Sequence, residues 1–187
     1  MNVILTGMRG TGKSSIGSAL AEHLAFRFVD TDEVIETLAS QRIADIVAQH
    51  GWAHFRALER QAVIQCAAAD RQVIAVGGGA LMDDVNAEHL KARGVVVLLL
   101  CEVSILQHRI SGEHNRPSLT GHGSAVAELA NVWESRRERY YAVADLTIDV
   151  SEETPDYRQD TSRKAMQVID LLQQHGLKAQ LSEGSSI

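Results

Sequence analysis

Gly7-Met8-Arg9-Gly10-Thr11-Gly12-Lys13-Ser14 decides how the rest of the chain is read. The run follows the spacing G-x-x-x-x-G-K-[ST] without a mismatch, and it stands where that spacing has meaning. Before it, residues 3–6 are β-branched or apolar and read as a strand. After it, Ile16, Leu20 and Leu24 recur at helical intervals. A loop of this kind turns tightly on its glycines and aims backbone N–H groups inward, where phosphate oxygens accept them. The helix starting near Lys13 adds the positive end of its dipole. The Lys13 ammonium reaches the terminal phosphates, and the Ser14 hydroxyl is placed for Mg²⁺. Arg9, Gly10, Thr11, Gly12, Lys13, Ser14 and Ser15 are thus the expected contacts of a nucleoside triphosphate.

Four further short runs read as strands: residues 26–29, 73–77, 95–100 and 146–150. Three more helical stripes accompany them. One carries Trp52, Phe55, Glu59, Ala62, Val63 and Cys66; the next carries Val126, Leu129, Trp133, Arg136 and Tyr140. Val168, Leu171 and Leu172 mark the last. Strands alternating with helices, several strands apolar on both faces, predict a parallel sheet covered on both sides. The expected class is α/β: a P-loop NTPase fold of three αβα layers around five parallel strands, with a mobile lid. Residues 1–175 read as one domain. Residues 111–124 are polar and carry three glycines and Arg116-Pro117; they are too long for a bland connector and read as the lid. Residues 176–187 read as a disordered tail.

Composition narrows the class of partner. Of 187 residues, 45% are hydrophobic and 22% charged, enough for a packed core rather than a disordered chain. Lys and Arg number 18 against 24 Asp and Glu; the formal charge of −6 is opposite in sign to that of a duplex-binding protein. Aromatic residues, at 4%, are too few for base-stacking platforms, so nucleic acid is not an expected partner. The longest apolar run, 95–101, is seven residues, far short of the roughly 20 that cross a bilayer, so no membrane partner is expected either. No basic-then-apolar leader opens the chain. Cys66 and Cys101 lie in apolar stretches without metal-ligand spacing. A cytoplasmic monomer with buried, reduced thiols is expected. His50 and His54, four apart but separated by Gly51, read as surface residues.

What the nucleotide is used for follows from the remaining unusual residues. No asparagine precedes a lysine as guanine-specific switches require, and no Asp-x-x-Gly occurs. The strands at 73–77 and 95–100 do not end in a metal-binding Asp. Switch, motor and transport NTPases are disfavoured, and a kinase for a small molecule is favoured. Asp30 and Asp32 close the second strand on alternate positions, so a period of two points both toward the ligand crevice at the carboxyl edge of the sheet. One can serve the metal through its waters, the other can take the proton of an attacking hydroxyl. The plainer role for Asp32 is to cap the helix starting at Glu33. Arg56 lies three residues from Glu59 on an inward face, and either recognises a substrate carboxylate or closes a structural salt bridge. Arg136 occupies a core-facing slot and needs an anion from ligand or protein, whereas Arg137 and Arg139 read as surface groups. Gly77-Gly78-Gly79 admit a ligand to the main chain or form a tight turn. Arg116 can swing over the phosphates, and Arg109 can frame the nucleotide.

Taken in order, these motifs resemble those of the shikimate kinases over about residues 2–173. They are Gly-x-x-Gly-x-Gly-Lys-Ser at 7–14, Asp-x-Asp at 30–32, Phe-Arg-x-x-Glu at 55–59, Gly-Gly-Gly at 77–79, Asn-Arg-Pro at 115–117 and Arg-x-x-x-Tyr at 136–140. The resemblance implies a nucleoside-monophosphate-kinase-like fold and transfer of the γ-phosphoryl group of ATP to the 3-hydroxyl of shikimate, a step toward chorismate and aromatic amino acids. It implies Mg²⁺ on Ser14 and, through water, on Asp30. Lys13, Asp32 and Arg116 would be catalytic; Arg56 and Arg136 would clamp the carboxylate, and the backbone of Gly77, Gly78 and Gly79 would meet the ring hydroxyls. Arg109 would lie near the adenine. Two stretches depart from the family: Ser118-Leu119 after Pro117, and Glu152-Glu153, where many relatives carry a basic residue that contacts ATP. The rival readings are a kinase for another polyol acid such as gluconate, and a nucleotide-binding regulator without transfer.

Overall fold

The computed structural model describes residues 1–110 and 125–176, with no side-chain description at 125–127. The lid expected at 111–124, with Arg116 and Ser118-Leu119, and the tail at 177–187 lie outside the described residues. The strands are β1 (Asn2–Gly7), β2 (Arg27–Asp30), β3 (Gln72–Ala75), β4 (Gly94–Leu100) and β5 (Leu146–Asp149), each within two residues of its expected run. They form one parallel sheet in the order β2-β3-β1-β4-β5. β1 lies at its centre, with Val3 opposite Val73 on one side and Val95 on the other, and is buried along its whole length. A strand covered on both faces needs the continuous apolar run seen there rather than an alternation.

Helices α1 (Lys13–Leu24), α2 (Thr31–Ala39), α3 (Ile43–Ala67), α4 (Asp84–Lys91), α5 (Val103–Ile110), α6 (Ala125–Val143) and α7 (Tyr157–Gln174) flank the sheet. Successive β1 side chains take opposite faces, and the cores divide accordingly. Val3 and Leu5 pack with Ile16 and Leu20 of α1 and Val168 and Leu172 of α7. Ile4 packs with Val63 and Cys66 of α3 and Leu90 of α4. Met8, Leu106, Leu129 and Tyr140 close a third cluster at the carboxyl edge. The stripes read for α1, α3, α6 and α7 supply these buried residues. α4 and α5 had no such signal, because eight residues are too few for a period to declare itself.

Two details differ from expectation. Cys66 is buried, and burial pushes its thiol up to about 11, but Cys101 is only half-buried because it stands just past β4 where the sheet opens. Gly51, at φ 78° and ψ 172°, breaks α3 into two segments. His50 and His54 flank that break, exposed and with ring centroids 5.0 Å apart, as surface residues should be.

Candidate active site

A cavity of about 870 Å³ is lined by the segments that follow β1, β2 and β3 and by side chains from α3, α5, α6 and α7. Every expected site residue among those described lines it. One end is the phosphate loop. Gly10 and Gly12 hold φ of +83° and +86°, a backbone region that side chains with a Cβ rarely enter. Thr11 Oγ1 donates to Met8 O at 2.9 Å. Lys13 Nζ donates to Gly7 O at 3.1 Å and Met8 O at 2.9 Å, so the ammonium lies inside the loop. α1 begins at Lys13, with no side-chain cap among the described residues and no acid in its first turn. Its first N–H groups and its dipole therefore remain directed at an anion.

Ser14 Oγ donates to Asp30 Oδ2 at 2.6 Å, and Asp30 Oδ1 accepts from Asp32 N at 3.0 Å. This geometry corrects two expectations. β2 ends at Asp30 and α2 begins at Thr31, so the two acids do not alternate along one strand, and the cap is Asp30, not Asp32. Asp32 reaches the cavity from the first turn of α2, because the chain changes direction between the two. Thr31 Oγ1 accepts from Gly77 N at 3.1 Å and pins that corner to the glycine run. A hydroxyl beside a carboxylate suits a hard cation that keeps several waters and takes further oxygens from phosphate. No group of three or more His, Cys, Asp or Glu that could enclose a metal occurs among the described residues.

The other end is built from α3, α6 and the glycine run. Arg56 Nη1 meets Glu59 Oε2 at 2.5 Å; the glutamate side chain is 2% exposed and that of the arginine 37%. Burial pushes the Glu59 carboxyl up, and the Arg56 guanidinium offsets this only in part, so the net is upward. The two readings of Arg56 therefore coexist: a buried glutamate anchors it while its open side faces the cavity. Phe55 and Trp52 support the guanidinium, with ring centroids 5.1 and 5.6 Å from Cζ.

The run does turn tightly, Ala80 N donating to Gly77 O at 2.9 Å, but none of Gly77, Gly78 and Gly79 has a positive φ, so the turn alone does not explain three glycines. Proximity does. A methyl group on Gly79 would stand 2.7 Å from Arg56 Nη2, one on Gly77 3.0 Å from Asp32 Oδ1, and one on Gly78 3.2 Å from Gly7 O. Arg136 Nη1 donates to Gly78 O at 3.1 Å from the opposite helix. Its neighbours are ion-paired at the surface as expected, Arg137 with Glu134 at 3.2 Å and Arg139 with Asp84 at 2.5 Å.

Arg109 closes the cavity rim beside the phosphate loop. It donates to Gly10 O at 3.0 Å, Val150 O at 3.1 Å and Glu153 at 2.7 Å, and so staples the phosphate loop to the segment after β5. Glu152 pairs with Arg163 at 3.0 Å. The acidic segment, which reads in sequence only as a missing basic contact, is held by two arginines. Sequence reasoning also missed Tyr157, whose hydroxyl lies 2.5 Å from Ser15 Oγ, and the buried Asp160–Lys164 pair at 2.5 Å. Both line the cavity from α7, whose only visible signal was its apolar stripe.

Comparison with known proteins now decides the family. The family model described as Shikimate kinase matches residues 9–173. The chain belongs to the shikimate kinase family. It is 38% identical over 155 residues to the shikimate kinase of Caldanaerobacter subterraneus subsp. tengcongensis, covering 82% of this chain and 88% of the relative. The structure of the shikimate kinase from Acinetobacter baumannii in complex with shikimate is similar with a TM-score of 0.84 at 31% identity, covering 94% of each chain. A gluconokinase from Sinorhizobium meliloti, at a TM-score of 0.52 and 17% identity over 93% of this chain and 96% of that one, shares the fold alone. Membership of the shikimate kinases makes this an ATP-dependent small-molecule kinase on a P-loop α/β fold, of a family that serves aromatic amino acid biosynthesis. Asp32, Arg56, Gly77, Gly78, Gly79, Arg109 and Arg136 all fall inside the matched span.

Proposed function

We propose that this chain transfers the γ-phosphoryl group of ATP to the 3-hydroxyl of shikimate, with Mg²⁺, as a cytoplasmic monomer whose residues 1–175 form one kinase domain. One observation carries the reading: a triphosphate cradle and a two-arginine, one-carboxylate acceptor end share a single cavity. Arg56 and Arg136 flank the glycine run from α3 and α6 and suit a small carboxylate, since a guanidinium binds carboxylate oxygens in pairs. A neutral acceptor would leave both cations without purpose, and a nucleoside monophosphate would have to place its base between these substrate elements.

In this reading the acceptor carboxylate lies on Arg56 and Arg136, and its ring hydroxyls meet Asp32 and the backbone of residues 77–79. The acceptor oxygen forms its bond to the γ-phosphorus as the bond to the β–γ bridging oxygen breaks, and its proton passes to Asp32. Lys13 and the N–H groups of residues 9–15 bear the charge that collects on the phosphate oxygens. Ser14 and Asp30 would hold Mg²⁺, which supplies charge neutralisation on the phosphates when bound. Glu59 keeps Arg56 aimed. Arg109 frames the nucleotide from its three-bond seat. Arg116, outside the described residues, joins on its Asn-Arg-Pro motif alone as a further cation over the transferring group.

ADP release from Mg-ATP, measured with shikimate, gluconate, AMP and no acceptor, tests the proposal. Release with shikimate alone is the expected result. Equal release with gluconate would move the reading to a broad polyol-acid kinase, and none with any acceptor to a regulator.

A further inference from the structure

Tyr140 is fully buried, yet its hydroxyl is not idle. It donates to Gly78 O, the same carbonyl that accepts Arg136 Nη1 at 3.1 Å. A carbonyl oxygen offers two lone pairs, and here two donors one helical turn apart on α6 take both. Packing alone would not call for the hydroxyl, since phenylalanine fills the same space. The ring is itself held, with Trp133 stacked on it at 6.1 Å and 21°. Met8 Sδ, at 3.9 Å, is a distant second contact on the phosphate-loop side.

We propose that Tyr140 is a positioning residue for the acceptor end: its hydroxyl fixes the Gly78 carbonyl, and through that shared acceptor it fixes the Arg136 guanidinium. The inference rests on the reading of Arg136 as a carboxylate-binding group. The peptide plane transmits the constraint. With Gly78 C=O turned toward α6, the trans geometry of the bond turns the Gly79 N–H the opposite way, away from α6. Gly78 also abuts the phosphate loop, its absent methyl 3.2 Å from Gly7 O and 3.8 Å from Arg9 N, so a shift of this peptide cannot be absorbed on that side. Burial pushes the phenol up, while the nearby Arg136 pulls it down; the net is upward, so the group remains a donor through the neutral range. Losing that donor leaves one lone pair of a part-buried carbonyl unfilled and lets Arg136 re-aim toward it.

The test is a double-mutant cycle in Y140F and R136A, read as separate KM values for shikimate and ATP. Y140F is expected to raise the shikimate KM about 10-fold and the ATP KM less than about 2-fold. R136A is expected to raise the shikimate KM about 100-fold, and the double variant to match R136A within about 2-fold. An unchanged shikimate KM in Y140F beside a raised one in R136A overturns the positioning role and leaves the Arg136 reading intact. An unchanged value in R136A itself overturns the reading beneath it. Equal rises in both KM values, or fully additive effects, make Tyr140 a packing residue and also overturn the proposal. Should Y140F fail to fold, a ring-fluorinated tyrosine at 140 with an acidified phenol replaces it. Its shikimate KM is expected to rise with pH as the phenol loses its proton while the ATP KM stays level, and a level shikimate KM would contradict the proposal.

Discussion

Lys13 bonds carbonyls five and six residues upstream, whereas Arg136 bonds a carbonyl 58 residues upstream. The two cations mark the two ends of one cavity, and their reach separates how those ends are made. The phosphate end is a property of consecutive residues: two left-handed glycines, one strand before and one helix after. The acceptor end is gathered from α2, α3, the glycine run and α6, and bonds between distant segments tie it together, Gly77 N to Thr31 Oγ1 and Arg136 Nη1 to Gly78 O. Local construction gives a rigid site that any acceptor chemistry can use. Assembled construction gives selectivity, and it is the part a single substitution can retune.

The largest effect should come from Lys13→Ala, which removes the charge aimed at the transferring group. We expect kcat to fall by about 10³-fold or more, while shikimate still quenches or enhances Trp52 fluorescence as in the parent. A loss of shikimate binding as well would erase the distinction between the two ends. Asp32→Asn comes next, with kcat lower by about 10²- to 10⁴-fold and ATP binding unchanged by calorimetry. Turnover at the parent level would reduce Asp32 to a first-turn acid on α2.

Gly79→Ala probes the assembled end by shape. The new methyl would meet Arg56 Nη2 at 2.7 Å, the far end of a flexible side chain, so the guanidinium shifts rather than the fold. A rise of about 10-fold in shikimate KM is expected, with the ATP KM and the melting temperature nearly unchanged. Equal effects on both substrates would mean that the glycine run belongs to the phosphate end instead.

The smallest effect concerns what carries the acceptor end. Asp83 caps α4, and the Arg60 side chain of α3 bonds it at 2.5 Å, holding its carboxyl below the usual carboxylate range. A carboxyl whose folded pKa is depressed stabilises the fold above its unfolded pKa, and that share is lost as pH falls through the folded value. Asp83→Asn keeps a capping oxygen and removes the charge. It should therefore cost about 2 °C in Tm at neutral pH and shrink toward nothing in acid. A cost that persists in acid would assign the effect to the cap.

How far the sequence could be read follows the same division. Five strands and four helical stripes were legible, because period and β-branching act within a few residues. The phosphate loop was legible because its spacing is itself the mechanism. Arg56, Arg136 and the three glycines could be picked out as misfits in an apolar pattern, but their reason could not. The glycines make room for Asp32 and Arg56, which only the folded neighbours reveal. The exchange of capping roles between Asp30 and Asp32 turned on a strand that stops two residues earlier than alternation required. Tyr157 and the arginine ties of the acidic 151–155 segment were invisible, since they pair residues 11 to 142 positions apart, beyond the reach of any local period.

The central claim is that the acceptor end reads a carboxylate with Arg56 and Arg136. The most direct measurement compares kcat/KM for shikimate and its uncharged methyl ester in the parent and in Arg136→Ala. The parent is predicted to prefer the free acid by about 100-fold, and the variant to lose most of that preference by falling on the acid alone. A parent enzyme that phosphorylates acid and ester equally well would contradict the account.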